Sequence, residues 1–239
     1  MAGPLILHIE TATDTCSVAL SEGDQQLSLI ESGPERSHAV LLNAFIRKAL
    51  AEGRKEISQL DAVSVSKGPG SYTGLRIGVS TAKGIAYALA KPLLATGTLE
   101  NMAFGTANHP EVLKIIRDHG NNLVLCPMLD ARRMEVYAAF YSMELSLVRE
   151  VSADVVDKDS YRFLLGKHHV CFFGNGAPKC KEVLENPHAH FIEGINPSAG
   201  SMITPVLDRY KAQQYEDVAY FEPFYLKDFV ATKPRKKVL

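Results

Sequence analysis

The chain has 239 residues, 22% of them charged, and a formal net charge of −1 at pH 7. This length suits one large domain or two smaller units that share a core. The near-neutral charge argues against a global basic field for nucleic acid, so contact with RNA would have to be local or supplied by a partner. No apolar run approaches the roughly 20 residues of a membrane helix. Four cysteines without a CxxC pair, and no signal-peptide pattern, predict reduced thiols and a cytoplasmic location.

Residues 1–108 predict a β-meander followed by helices. Apolar runs and period-two alternation indicate three strands, at residues 5–9, 16–21 and 26–31. Apolar residues at helical spacing follow, with Ser37 as the N-cap of that helix. We expect a stretch from about 198 to 239, which begins with a predicted helix over 198–213, to complete this unit.

The pattern returns over residues 109–197, which we expect to form a second unit. Its first strand also ends in a polar turn, and Asp130 stands 120 residues after Glu10 at the equivalent place. Further strands and helices are predicted at 134–142, 145–151, 158–166 and 178–185. We interpret this as an internal duplication. An α/β fold of two β-meander-plus-helix subdomains that face each other across a cleft is the architecture of the actin-like ATPases and sugar kinases.

A glycine-rich segment at residues 67–74 lies between a buried strand and a predicted helix. Free amides and the dipole of a helix N-terminus favour anions, so Gly68, Gly70 and Ser71 are candidate phosphate contacts. Glu10 is a further candidate because kinases of this fold place a metal-associated acid at the end of the first strand. The alternative is a tight turn that needs glycine backbone angles. The lack of a following Gly-Lys-Ser/Thr sequence favours this alternative.

Four segments of the chain, taken in order, resemble the TsaB (YeaZ) family. They are residues 6–13, 68–78, 130–137 and 224–227, of which the Gly-Pro-Gly-Ser-Tyr-Thr-Gly-Leu-Arg-Ile-Gly segment is the most specific. The resemblance implies an accessory subunit of bacterial tRNA threonylcarbamoyladenosine synthesis. Such a subunit binds and activates its catalytic paralogue TsaD, works with the small ATPase TsaE and meets tRNA only through the complex. The resemblance leaves open whether ADP or ATP binds at the complex interface.

The resemblance also implies that the chain is not itself an enzyme. TsaD carries His-x-x-x-His in a helix where this chain has Thr98 and Met102. A hydroxyl and a thioether cannot replace two imidazoles as ligands of iron or zinc. Residues 130–133 replace glycines of TsaD, and their Cβ atoms would obstruct a phosphate. We therefore expect no catalytic residue and no metal site; the alternatives are an independent ATP-dependent transferase or a glycoprotease-like peptidase.

Two other features have both a functional and a structural interpretation. Four histidines lack the helical spacing of paired metal ligands, so we interpret them as exposed loop residues: His168, His169, His188 and His190. The basic stretch 233–237 could touch tRNA phosphate, although such tails are usually solvated. Neither feature predicts a site by itself.

The two helices predicted over 37–50 and 74–90 are the expected partner surface. The second helix carries small residues about one turn apart, which let another helix approach closely. The predicted contact residues are Leu41, Leu42, Phe45, Gly74, Gly78, Thr81, Ala82 and Ile85. The same surface predicts a homodimer when the partner is absent. The alternative is that Gly78 packs against the chain's own sheet.

Overall fold

The computed structural model describes residues 3–33 and 38–227, so Ser37 and the basic stretch 233–237 lie outside the described residues. Within the described part, ten strands form two sheets. The strands are β1 (Leu5–Glu10), β2 (Ser17–Glu22), β3 (Gln25–Glu31), β4 (Ala62–Ser66), β5 (Leu93–Thr96), β6 (Leu123–Asp130), β7 (Glu135–Ser142), β8 (Leu147–Val155), β9 (His169–Phe173) and β10 (Ala189–Ile192). The α-helices are α1 (His38–Glu52), α2 (Tyr72–Leu89), α3 (Thr98–Thr106), α4 (Pro110–His119), α5 (Arg162–Leu165) and α6 (Ile203–Lys211).

Both sheets have the same strand order, which confirms the predicted duplication. The first sheet runs β3-β2-β1-β4-β5 and the second runs β8-β7-β6-β9-β10. In each sheet the central first strand is antiparallel to the second strand and parallel to the fourth. Glu10 ends β1 and Asp130 ends β6, so the two acids occupy equivalent places. The fold is the expected duplicated α/β fold of the actin-like ATPases and sugar kinases.

Helices cover both faces of each sheet, because successive side chains of a strand point to opposite faces. Leu7 of β1 lies in the core under α1 and α2, whereas its neighbour Ile6 packs with Val206 of α6. In the second unit, α3 and α4 cover one face through side chains such as Leu99, and Leu165 of α5 packs on the other. Among the described residues, no helix is long and apolar enough to cross a membrane.

The predicted limit between the units, at residues 108 and 109, stays a prediction. Helix α3 lies before that limit, yet its Leu99 and Met102 belong to the core of the second sheet. Helix α6 lies in the C-terminal stretch expected to complete the first unit, and its Val206 packs under the first sheet. The junction between the units therefore includes a helix whose apolar side chains serve the unit that follows it.

Two helices predicted in the second unit are much shorter than expected. The helix predicted over 158–166 begins only at Arg162, because Tyr161 has a φ of 60°. The Tyr161 ring packs edge-on against Phe140, and its hydroxyl donates to Asp154 at 2.7 Å. These tertiary contacts override the helical pattern. The helix predicted over 178–185 is a single 3-10 turn at Pro178–Cys180, since few of its side chains are buried and short helices depend on packing.

Helix α2 lies close to the turn after β1 because three glycines leave room for it. A Cβ at Gly70 would lie 2.3 Å from the carbonyl oxygen of Ala12, and one at Gly74 would lie 2.1 Å from the carbonyl oxygen of Thr11. A Cβ at Gly78 would lie 2.2 Å from Thr11 Oγ1. Atoms cannot approach this closely, so the three glycines determine how α2 is seated on the first sheet.

Gly78→Ala should destabilise the chain, whereas Gly84→Ala on the same helix should not. The first change places a Cβ against Thr11, and overpacking of this kind costs about 1–3 kcal/mol. A Cβ at Gly84 would have no described neighbour within 4 Å outside its own helix, so alanine there should stabilise by about 0.5–1 kcal/mol. Urea and thermal unfolding of both variants measure the difference. Equal stability of the two variants would contradict this packing.

Candidate functional site

A cleft of about 590 Å³ lies between the two units. Its walls are formed by the turn after β1, the loop before α2, the turn after β6 and residues 224–227. Of the four predicted phosphate contacts, Gly70 and Ser71 line this cleft. Glu10 and Gly68 do not, and the reasons differ for the two residues.

Gly68 is covered by the C-terminal segment of the chain. It has a φ of 112°, and a Cβ there would lie 2.7 Å from the carbonyl oxygen of Phe224. The Phe224 amide donates to the carbonyl oxygen of Lys67 at 2.7 Å, and the Thr98 amide donates to that of Gly68 at 3.0 Å. Glycine is therefore required at position 68, because the segment that contains Phe224 packs directly against it. This corrects the prediction that Gly68 contacts a phosphate.

Gly70 and Ser71 line the cleft, but the amide and the side chain of Ser71 are already hydrogen-bonded within the protein. The Ser71 amide donates to the carbonyl oxygen of Ala12 at 2.6 Å. The Ser71 side chain caps α2 by accepting from the Gly74 amide at 3.3 Å. This is the geometry of a tight strand-to-helix turn, which was the structural alternative. A phosphate contact at Gly70 and Ser71 stays a prediction.

The carboxyl group of Glu10 is fully buried. Its Oε1 accepts from the Ala12 amide at 2.7 Å, and Oε2 has no hydrogen-bond partner among the described atoms. Desolvation raises the pKa of Glu10 to about 7, although the Ala12 amide and the side chains of Ser66 and Asn101 oppose the rise. A carboxyl inside the core does not reach a metal–nucleotide complex in the cleft, which corrects the predicted contact at Glu10.

The equivalent acid of the second unit, Asp130, lies on the cleft and is exposed. It forms an ion pair with Lys179 and accepts from the Arg132 amide at 2.8 Å. Desolvation alone would raise the pKa of Asp130, but Lys179 and the Arg132 amide lower it overall. Arg132 and Arg133 have φ values of 71° and 50°, the left-handed region that glycine favours. The turn thus has a glycine-like backbone that carries two cationic side chains.

Thr98 and Met102 of α3 are buried core residues. Thr98 Oγ1 shares a hydrogen bond with Ser66 Oγ at 2.8 Å. Met102 packs in the core of the second sheet, where its Cε lies close to Gly174. A buried hydroxyl that already has a partner and a thioether in an apolar core do not form a site for iron or zinc.

The predicted partner-surface residues divide by burial. Five are buried in the chain's own first unit, which corrects their predicted place on a surface: Leu41, Leu42, Gly74, Gly78 and Ala82. Phe45, Thr81 and Ile85 are half-buried. The stripe of small residues on α2 therefore serves the contact with the turn after β1, as the structural alternative for Gly78 states.

The outward face of the same two helices is exposed. It includes Val40 of α1 and Tyr87 of α2, which are 75% and 80% exposed. Ala44, Gly84 and Ala88 on this face are small and exposed as well. Small residues let a second helix approach closely, and large apolar side chains gain free energy when a partner buries them. This face can therefore accept a partner helix.

Three histidines from separate elements lie together at the edge of the second unit. His119 ends α4, His169 begins β9 and His190 lies in β10, and one ring nitrogen from each lies within 4.8 Å of the other two. Sequence spacing missed this cluster because its members are 21 to 71 residues apart. The alternation of His188 and His190 beside a strand that begins at His169 was the available signal.

The pH dependence of stability should reveal the buried Glu10 carboxyl. The pKa of Glu10 rises from 4.5 in the unfolded chain to about 7 in the folded chain, so the folded state holds this proton more tightly. Stability should therefore fall as pH rises from about 4.5 to 7 and then level off, by about 3 kcal/mol in total. Glu10→Gln should remove this loss. The stability difference between Glu10→Gln and wild type should grow across that interval.

Asp130→Asn is the matched control, because Asp130 ends the equivalent strand and its pKa is lowered. Its stability difference from wild type should stay flat between about pH 5 and 8, since a depressed carboxyl pKa affects stability only at lower pH. Chemical unfolding at a series of pH values gives both curves. A flat curve for Glu10→Gln would show that this carboxyl is ionised in the folded chain. Taking differences from wild type cancels the contribution of other groups, such as His8.

Comparison with known proteins identifies the family. The model of the TsaD family, tRNA N6-adenosine threonylcarbamoyltransferase, matches residues 33–233. The tRNA threonylcarbamoyladenosine biosynthesis protein TsaB of Bacillus subtilis is 30% identical over 184 residues, which cover 76% of this chain and 75% of that protein. TsaB of Escherichia coli K12 is 34% identical over 139 residues, which cover 58% of this chain and 55% of that protein.

Solved structures agree with this assignment at the level of the fold. YeaZ from Pseudomonas aeruginosa superposes with a TM-score of 0.73 and 23% identity, covering 93% of this chain and all of that chain. A second structure, titled as an uncharacterised Pseudomonas aeruginosa protein similar to peptidase YeaZ, gives a TM-score of 0.78 at 23% identity and covers 94% of this chain. The chain therefore belongs to the TsaB (YeaZ) family, within the wider family that the threonylcarbamoyltransferase model describes.

Proposed function

We propose that this chain is a non-catalytic subunit of bacterial tRNA threonylcarbamoyladenosine synthesis, and that it binds and activates a TsaD-type catalytic paralogue. Family membership supports the pathway, since the curated relatives are named for this biosynthesis. The observation that supports the non-catalytic role is in α3, where Thr98 and Met102 are buried core residues; the family resemblance assigns these positions to the metal ligands of TsaD. A paralogue that keeps the fold without the metal ligands acts by binding.

The two enzymatic alternatives have less support. A peptidase nucleophile has to contact its substrate. His8 hydrogen-bonds Ser21 and Ser64 at 2.9 and 2.8 Å, but all three residues are fully buried. Desolvation lowers the pKa of His8 to about 3, as expected for a structural imidazole that stays neutral. An independent ATP-dependent transferase would need an acid at the end of β1 to hold the nucleotide's metal, and Glu10 is buried.

We place the TsaD-type partner on the outward face of α1 and α2. Because the partner has the same fold, two helices from each chain can pack as a pseudo-twofold seam of four helices. The exposed Val40 and Tyr87 supply apolar area at that seam, and Gly84 permits close approach. A second copy of this chain presents the same face, so we expect a homodimer when the partner is absent.

A nucleotide, a TsaE-type ATPase and tRNA are the other components that we propose for the complex. Gly70 and Ser71 line one wall of the cleft, while Arg132 lines the other and attracts anions. ADP or ATP at the complex interface is consistent with this distribution of charge. A TsaE-type ATPase is the expected third component, and tRNA is expected to meet this chain through the complex.

Leaving this chain out of a reconstituted reaction should abolish tRNA modification, and adding it back should restore modification. The mixture contains the TsaD-type and TsaE-type subunits, tRNA and the threonylcarbamoyl donor, and modified adenosine is quantified by mass spectrometry. The isolated chain should turn over ATP or peptides more slowly than roughly 1 s⁻¹, the low end for ordinary enzymes. An undiminished reaction without this chain would contradict an activating role. Faster turnover that a cleft variant abolishes would instead support an enzyme.

Gly84→Leu should weaken binding of the TsaD-type subunit about 5- to 150-fold without unfolding the chain. Added bulk at a close helix contact costs about 1–3 kcal/mol, and about 1.4 kcal/mol corresponds to a tenfold change in affinity. Arg117→Leu adds an apolar side chain on exposed α4 and is the matched control, with wild-type affinity expected. Calorimetry gives the dissociation constants, and thermal melts verify folding. Unchanged affinity of a folded Gly84→Leu variant would place the partner on another face.

A further inference from the structure

A cluster of histidines lies on the second unit, outside the cleft. The ring of His119 stacks on that of His169, with centroids 4.2 Å apart. His169 Nδ1 and His190 Nε2 are hydrogen-bonded at 2.9 Å. The His188 ring centroid lies 4.5 Å from that of His169. Four imidazoles therefore meet where the end of α4 packs beside β9 and β10, and the proposed function uses none of them.

We propose that His119, His169 and His190 form a binding site for one divalent transition-metal ion such as Zn²⁺. Imidazole nitrogen is a common zinc ligand at about 2.0–2.1 Å, so the nitrogens of a tetrahedral site lie about 3.3 Å apart. The three histidines already place one nitrogen each within 4.8 Å of the other two. Small ring rotations would bring one lone pair from each residue to a common point. A water or His188 would complete the coordination.

Metal binding requires the hydrogen bond between His169 and His190 to open. The proton in that bond moves to the outer nitrogen of its own ring, so both rings stay neutral and each offers a lone pair to the ion. Desolvation and the neighbouring histidines keep the pKa of both residues below its ordinary value. His188 Nδ1 donates to the carbonyl oxygen of Leu165 at 2.7 Å, which leaves its Nε2 as the free lone pair.

The helix end at the cluster favours a cation, while the acidic and basic side chains around it are equal in number. His119 ends α4, a helix of ten residues, and the C-terminal end of a helix dipole is negative. Asp118 and Glu111 line the adjoining depression together with His119 and His190, and Lys114 and Lys181 also lie there. An ion bound here would join α4 to two strands of the second sheet. The site would therefore be structural, holding the outer edge of that unit together.

The test is a titration of untagged, chelator-treated protein with Zn²⁺, measured by calorimetry. Wild type should bind one ion per chain. A variant with both His169→Asn and His190→Asn should bind at least about 100-fold more weakly, since losing even an outer-shell partner costs about 10- to 100-fold. His168→Asn is the matched control, because His168 is adjacent in sequence but hydrogen-bonds Asn122 outside the cluster. It should bind like wild type.

Thermal unfolding and Co²⁺ absorption provide two further tests of the site. Zn²⁺ should raise the thermal midpoint of wild type and of His168→Asn but not of the double variant, because an ion that binds only the folded state stabilises it. If the double variant does not fold, His119→Asn replaces it, since His119 is exposed at the end of α4. Co²⁺ should give the visible absorption of a tetrahedral site. Failure of wild type to bind a stoichiometric ion, or equal affinity in all variants, would overturn the proposal.

Discussion

The contact between α2 and the turn after β1 is the constraint on which the first unit depends. Gly74 and Gly78 bring α2 so close that Thr11 Oγ1 donates to the Gly74 carbonyl oxygen at 2.8 Å. Glu10, which ends β1 directly before this turn, has no exposure, and its carboxyl lies near Ala12, Ser66 and Asn101. Because desolvation favours the neutral carboxyl, burial at this place removes the acid from the chemistry of the cleft.

Residues 221–227, here called the C-terminal segment, connect α2 to the second unit. Lys83 donates to the carbonyl oxygen of Phe221 at 2.8 Å. Arg76 lies over the Tyr72 ring and donates to the Tyr225 hydroxyl at 3.3 Å. Beyond these contacts, Lys227 pairs with Glu135 of β7. The segment thus runs from α2 across the cleft, and its last link is a partly exposed ion pair. Such pairs contribute little free energy, so this segment holds the second unit less firmly than it holds α2.

The duplication could be predicted from sequence because it rests on local patterns of period two, and a long glycine motif located the strand-to-helix turn. The face of α2 could not be predicted, because a stripe of small residues at helical spacing fits an internal contact and a partner equally well. The position of the Thr11 side chain, which the sequence pattern does not reveal, shows that Gly78 faces inward. The turn at Tyr161 and the histidine cluster could not be predicted for a related reason. Both depend on contacts between residues far apart in sequence.

The two acids at equivalent places in the duplicated fold have opposite electrostatic states. Glu10 is buried, and its pKa is raised to about 7. Asp130 is exposed on the cleft, its pKa is lowered, and its charge is already compensated by Lys179. A nucleotide's metal ion would need a carboxylate that is both exposed and unpaired. Neither of these two acids meets both conditions, although the exposed Asp14 also lines the cleft. The equivalent positions at the ends of β1 and β6 are therefore unsuited to holding a nucleotide's metal ion, while Arg132 places a cationic side chain on the cleft wall.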